Sequence, residues 1–474
     1  MSKYLNKKDI CLVAGIVAFF IVSFVLKAPQ SLEAAAAAVG SSGSAAMKIL
    51  GITALAIFWW VGDKYPDWLT TIAMMLLWII VAKVSFNSAF AAFAGTSAWL
   101  IAGAFCLAAA IGKTGFFTRI SWALLQIFPP TFRGQVIALM VVGAICTPLI
   151  PSSTAKAVLG VTIASGVATA MGYENNSPGR YGLFAAAWIG FGALVPAFVS
   201  GSVFGYTLLG ALPEDAGITW GSWCIAMLPW LFIMLAGCFV AIMLLYNPKG
   251  KGSISKEYAK EQYKKLGKLQ GKELQSAIIL ACSVVLWIFE SQLGIPAAVT
   301  AMLAAFFCFV LGILDRKEIA TAPNWNLIIF LGGVLSLGSI FSKVGIDMWL
   351  QALLSPVFEK MNNPYLMVVI IAATVVLIRF VLVSQSATII IMLAILSPVA
   401  STIGLSPFTI GLIVYTAETC WFVPYQNAVF ATAFACNNGT LEHKGTIKLC
   451  VAFQIISVIA CLVSLPYWNF MGYI

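Results

Sequence analysis

Charge is what this sequence has least of: 9% of its 474 residues are charged, against roughly 25% in soluble proteins, which excludes a soluble globular protein. Histidine occurs once, as His443 beside Lys444 in a polar link, so no histidine-centred metal site is expected. The 11 cysteines form no C-x-x-C pair and mostly lie inside apolar runs, where they read as small packing residues. There is no G-x-x-x-x-G-K-[ST] loop, no H-E-x-x-H and no G-x-S-x-G. An ATP-driven role would therefore need a partner subunit, and neither a zinc nor a serine hydrolase is indicated. The expectation is a protein that is not an enzyme, with no cofactor and no metal centre. The net charge of +10 sits in short links between apolar runs, where bases set membrane orientation, so no nucleic acid partner is expected.

Apolar residues make up 61% of the chain, and runs long enough to cross a bilayer lie near 10–26, 46–62, 68–85, 96–112, 182–211 and 224–246. The first of these spans fully and ends without a small-residue cleavage site, so it reads as a retained span and not as a removed signal peptide. A lysine-rich stretch at 247–273 follows, and further runs lie near 276–291, 296–313, 326–343, 406–433 and 448–467. Two other stretches, 134–172 and 364–401, are too long for one crossing and too short for two. The first is broken in its middle by Pro148 and Pro151 beside Ser152, Ser153 and Thr154. Each fits two half-length helices meeting at a polar tip, a re-entrant hairpin, tolerated where the tip is buried in protein or lines a wet cavity. The expected fold is an all-α polytopic membrane protein with about eleven transmembrane helices plus two re-entrant hairpins in an inverted repeat.

Basic residues orient this scheme. Lys3, Lys7 and Lys8 place the start in the cytoplasm, and the 247–273 link belongs there too. The first hairpin then enters from the cytoplasm, flanked by Lys113, Arg119, Arg133 and Arg180. The 212–222 link, with Glu214 and Asp215, falls outside, as do the base of the second hairpin and the carboxyl terminus. The expected location is a bacterial cytoplasmic (plasma) membrane.

The halves resemble each other. Gly103, Leu107 and Lys113-Thr114-Gly115 recur 230 residues later as Gly333, Leu337 and Lys343-Val344-Gly345. Ser152-Ser153-Thr154-Ala155 recurs as Ser384-Gln385-Ser386-Ala387, and Val195-Pro196 as Val423-Pro424. This divides the chain into a first span and outer link (1–44), a first repeat (45–246), a basic linker (247–275) and a second repeat (276–474). Each repeat has an odd number of crossings, so the second is inverted. Inverted repeats with paired discontinuous elements point to a secondary transporter with its site where the hairpin tips approach.

Both tips open a half-helix, whose free N–H groups and dipole suit an anion. Two such ends facing one cavity suit a small dianion; the alternative for each serine is an ordinary helix cap. Lys156 and Arg379 are bases at membrane depth, marking either a pathway or a side chain that snorkels to the surface. Glu290 reads as an interfacial residue, and Glu418 suits either proton binding or pairing with a base. The runs around Pro196 and Pro424 are either simple kinks or unwound backbone lining the cavity, with Ser200, Gln426 and Asn427 offering side-chain groups.

From about Ala45 onward this pattern resembles the divalent anion/sodium symporter family, the dicarboxylate, citrate and sulfate carriers often called INDY. The resemblance rests on the repeated Ser-Asn-Thr-like tips, Ser152-Ser153-Thr154 and Ser384-Gln385-Ser386 with Thr388, on AFAGTSAWLIAGAFCLAAAIGKTG, and on VPYQNAVF. It implies tip residues that bind substrate carboxylates, a homodimer, and a hairpin-bearing unit that moves as an elevator. Sodium-coupled members use side-chain oxygens where this chain has Pro148 and Phe380, and both motif asparagines are replaced, by Ser153 and Gln385. Lys156 resembles the base that follows the first motif in citrate/succinate antiporters and plastid dicarboxylate translocators. The expected function is therefore sodium-independent exchange of succinate, malate, fumarate or 2-oxoglutarate, with Lys156 and Arg379 standing in for coupling cations. Sodium- or proton-coupled symport on the same fold is the alternative.

Overall fold

The computed structural model describes residues 6–150, 152–213, 216–248, 256–359 and 363–474, and every regular element among them is helical. Lys3, Pro151, Glu214, Asp215 and the part of the basic link at 249–255 lie outside the described residues. The first half runs α1 (Lys7–Phe20, prolonged by a π-helical turn to Val25), α2 (Gln30–Ala38), α3 (Gly43–Gly62), α4 (Asp67–Ile80), α5 (Thr96–Thr114) and α6 (Phe116–Leu125). A hairpin follows, α7 (Phe132–Cys146) and α8 (Ser153–Ala170), then α9 (Pro178–Trp188), α10 (Val203–Ala211) and α11 (Leu228–Tyr246). The basic link carries α12 (Lys256–Lys265). The second half runs α13 (Gly271–Ile288), α14 (Ala297–Val310), α15 (Trp325–Lys343) and α16 (Ile346–Glu359). Its hairpin is α17 (Pro364–Ile378) and α18 (Gln385–Leu396), and α19 (Pro407–Glu418), α20 (Ala428–Ala435) and α21 (Ile447–Phe470) close the chain.

The series α3 to α11 thus recurs as α13 to α21, down to its punctuation. The α4 and α14 starts both follow a proline, Pro66 and Pro296, with ψ of 144° in each. The ends of α5 and α15 are followed by Gly115 and Gly345 at φ 77° and 74°, where only glycine is unstrained. The halves also exchange partners, α5 packing on α14 and α4 on α15. Gly103 of α5 meets Ala301 of α14, and their repeat counterparts Gly333 of α15 and Thr71 of α4 meet in the same way. A side chain at Gly103 would place its Cβ 2.5 Å from the Ala301 carbonyl. Gly103→Val should therefore lower stability by about 1–3 kcal/mol, the usual cost of overpacking, read as a lower thermal unfolding midpoint in detergent.

By length and apolarity, nine helical stretches among the described residues can cross a membrane. Seven coincide with expected spans; the other two are the hairpin arms Phe132–Leu149 and Gln385–Thr402. The expected spans at 68–85 and 296–313 form the shorter helices Asp67–Ile80 and Ala297–Val310. Those at 182–211 and 406–433 are each split by an unwound segment, between α9 and α10 and between α19 and α20.

Polar contacts fix the two faces. On the first face, Lys8 pairs with Asp63, Lys64 with Asp9, and Lys113 with Asp315 and Glu318. Here α6 holds the basic link: Arg119 pairs with Glu273 at 2.7 Å and donates to the carbonyls of Leu266 and Gly267. On the second face, Lys343 donates to Ser88, and α2 packs on α16 with Trp349 donating to Ser31. The second hairpin enters from that face.

Candidate functional site

Each hairpin tip is a capped helix start. Ser152 caps α8 by accepting from Ala155 N at 3.3 Å, and Ser384 caps α18 by accepting from Ala387 N at 3.3 Å. The unwound segments end the same way, in Ser202 before α10 and Asn427 before α20. α8 packs against α20 and α18 against α10, so each tip helix crosses to the broken span of the other half. The Ser202 hydroxyl meets the Tyr415 hydroxyl of α19, a further link between halves. Four helix starts with free N–H groups therefore belong to one assembly, whose partial positive charge suits anions.

The two buried bases explain how these segments are held. Lys156 is fully buried, and its ammonium donates to the carbonyls of Ile150 (3.3 Å), Thr147 (3.4 Å) and Gly201. An ammonium has three N–H donors, so all three are used on backbone oxygens. Arg379, also fully buried, donates to the carbonyls of Leu382 (2.7 Å), Val383 (2.6 Å) and Gln426. Among the described residues neither base has a carboxylate within ion-pair distance. Neither side chain snorkels to the surface.

Two oxygens of each cradle are repeat-equivalent, Ile150 with Leu382 and Gly201 with Gln426, although the third oxygen and the base filling the cradle are not. Ile150 and Leu382 are 232 residues apart, the tip offset, whereas Lys156 corresponds to Thr388 and Arg379 to Thr147. Gly201 and Gln426 each precede the cap of the helix after the break. Braces match too: Ser200 donates to Pro148 O at 2.7 Å and Tyr425 to Phe380 O at 3.1 Å. The breaks are thus equated through Val199–Gly201 and Pro424–Gln426, three residues out of step with the Val-Pro pairing, because the first break holds an extra turn at Val195–Ala197.

Of the expected ligands, Ser152 and Ser384 stand at the tips and Thr154 is exposed beside Ser152. Ser153 is buried with Oγ 3.5 Å from Gly201 O, and Ser386 is buried on the first turn of α18. Ser200 is occupied as a brace and also accepts from Trp220 Nε1 at 2.9 Å. Thr388 is buried and donates to Ser384 O within its own helix at 2.9 Å. Pro424 starts the turn that ends at Gln426, and Asn427 spends Oδ1 on Phe430 N. Gln385 turns to Glu418, whose Oε1 lies 3.5 Å from its Nε2, while Glu418 Oε2 is buried without a partner. Glu290 caps α14 by accepting from Ala297 N at 2.8 Å.

One participant is absent from the sequence reading. Asp67, at the start of α4, accepts a hydrogen bond from Ser384 Oγ at 2.9 Å, across 317 residues of chain. Only the position of Pro66 before it, shared with Pro296, marks this helix start in the sequence.

The likenesses to known proteins agree with this architecture. The chain is 25% identical over 418 residues to the inner membrane protein YbhI of Escherichia coli, covering 84% of each. It is 27% identical to the chloroplastic dicarboxylate transporter 1 of Arabidopsis thaliana over 57% of this chain and 50% of that one. It is 24% identical to the putative malate transporter YflS of Bacillus subtilis, over 70% of each. In fold it is similar to the YdaH transporter of Alcanivorax borkumensis, with a TM-score of 0.59 at 14% identity, covering 82% of this chain and 88% of that one. The model of the sodium:sulfate symporter transmembrane region matches residues 7–474, and the chain, a multi-pass membrane transporter, belongs to that family.

Proposed function

We propose that the protein exchanges small dicarboxylates such as succinate, malate, fumarate and 2-oxoglutarate across the membrane without sodium, by an elevator movement of the hairpin-bearing unit in a homodimer. The observation that carries the reading is the pair of carbonyl cradles filled by Lys156 and Arg379. In transporters with broken helices, unwound carbonyls and half-helix ends are the ligands of a coupling cation. A tethered ammonium and guanidinium occupy those oxygens permanently. Their charge favours a dianion at the adjoining helix starts, and it cannot be left behind on either side. The empty carrier is then cationic and returns poorly through the low-dielectric interior, so one dianion must be traded for another. Ser152, Ser153, Thr154, Ser384, Gln385 and Ser386 line the substrate in this reading, with Ser200, Thr388, Pro424 and Asn427 shaping it through the backbone. The relatives named as dicarboxylate and malate transporters support the substrate class.

Purified protein in liposomes loaded with succinate or with buffer tests this. Labelled succinate should enter only the loaded vesicles, equally in sodium and in choline. Uptake into empty vesicles driven by a sodium gradient would overturn exchange. The unpartnered oxygen of buried Glu418 favours a second reading, proton-coupled symport, which predicts uptake into empty vesicles driven by a pH gradient.

A further inference from the structure

We propose that Asp67 is a one-sided gate ligand, whose carboxylate competes with a carboxylate of the substrate for the second hairpin tip on the face that bears the basic link. The inference rests on the dicarboxylate reading above and adds a residue to it.

A serine hydroxyl has a single hydrogen to donate. Ser384 Oγ accepts from Ala387 N, which fixes its position as the α18 cap, and gives its hydrogen to Asp67 Oδ2 at 2.9 Å. While that bond stands, Ser384 has nothing to donate to a substrate carboxylate, and two carboxylates at one tip repel. No base among the described residues lies within ion-pair distance of Asp67, so its charge is not neutralised by a side chain. The Ser384 hydroxyl and the start of α18 are what it meets. Asp67 therefore holds the tip as one end of a dicarboxylate would.

Topology makes the device act on one face. Asp67 follows the Lys8–Asp63 and Lys64–Asp9 pairs, so it lies toward the first face. The second hairpin enters from the opposite face, yet its tip reaches this end of α4. The hairpin unit thus sits toward the first face in this conformation, and it leaves Asp67 when it moves to the other. The repeat counterpart of Asp67, 230 residues on, is Ala297, which follows Pro296 as Asp67 follows Pro66. The helix start that would meet Ser152 in the opposite conformation has no acid at that position; the acid beside it, Glu290, accepts from Ala297 N through Oε1 as a helix cap. Competition lowers affinity on the first face alone and displaces bound dianion there.

Half-saturation for succinate exchange, measured from each face in vesicles of defined orientation, tests the proposal in wild type, Asp67→Ala and Asp67→Asn. Loss of a charged competitor for one hydrogen bond should lower the first-face KM of Asp67→Ala roughly tenfold, with the second-face KM unchanged. Asp67→Asn keeps an acceptor without the charge and should fall between. The unchanged second-face KM shows that the variants are folded, and equilibrium binding of succinate to purified protein gives a readout independent of turnover. An unchanged first-face KM, a raised one, or an equal change on both faces would overturn the proposal. If wild-type protein neither binds nor exchanges succinate, the dicarboxylate reading fails instead and takes the gate with it.

Discussion

Lys156→Ala is expected to reduce succinate exchange in sodium-free medium about a hundredfold, the effect of losing about 3 kcal/mol of charge-assisted interaction. The ammonium is fully buried and donates to Thr147, Ile150 and Gly201, which belong to the first arm of the hairpin, its tip and the broken span. Removing it leaves three carbonyl oxygens without their shared ammonium donor, Gly201 O keeping only the Ser153 hydroxyl at 3.5 Å, and takes one positive charge from beside the tip. The emptied cradle is a set of oxygens of the kind a sodium ion accepts. Part of the lost activity should therefore return when choline is replaced by sodium, and the variant should begin to accumulate succinate in unloaded vesicles. Labelled uptake in the two salts measures both effects. Full activity that still ignores sodium would show that Lys156 does no electrostatic work.

Arg379→Leu is expected to abolish exchange and also to lower stability, by about 3–5 kcal/mol, the cost of leaving three buried carbonyl oxygens without a charged donor. Its guanidinium holds Leu382, Val383 and Gln426 together. Glu418 is fully buried and is reached by Gln385 of the same hairpin, so Glu418→Gln added to Arg379→Leu should recover part of the lost stability. The thermal midpoints of the wild type, the two single variants and the double variant form a cycle that isolates this coupling. Additive midpoints would mean that the two residues do not balance each other, and that Arg379 matters only for its three carbonyls.

The spans and tips were legible because long apolar runs, and prolines beside serines, leave few alternatives in a bilayer. Helices α6 and α16 were not. They hold 10 and 14 residues, too few to cross a bilayer, carry charged residues among the apolar ones, and fall where the sequence looks like a link between runs. Ser152 and Ser384 both stand at helix starts as the repeat places them, because a cap is a local hydrogen bond fixed by neighbouring residues. The repeat did not show that Ser200 and Thr388 spend their hydroxyls on backbone carbonyls, since that depends on which way a buried side chain turns. Lys156 and Arg379 stand out as bases in apolar surroundings, but their backbone partners are set by the path of the unwound segments, which no local pattern records. Asp67 was invisible for another reason. Its partner lies 317 residues away, and an acid before an apolar helix looks like any helix start.

The mismatch in how the two cradles are filled has a consequence for redesign. Lys156 reaches its oxygens from the helix after the tip, and Arg379 reaches a set sharing two of the same positions from the end of the helix before it. What defines the pocket is the arrangement of main-chain oxygens, and more than one anchor point serves it. Thr147 and Thr388 are the vacant counterparts, each already lodged beside its cradle. An engineer wishing to move between tethered and free counter-ions thus has two attachment points per hairpin, and need not disturb the tip serines.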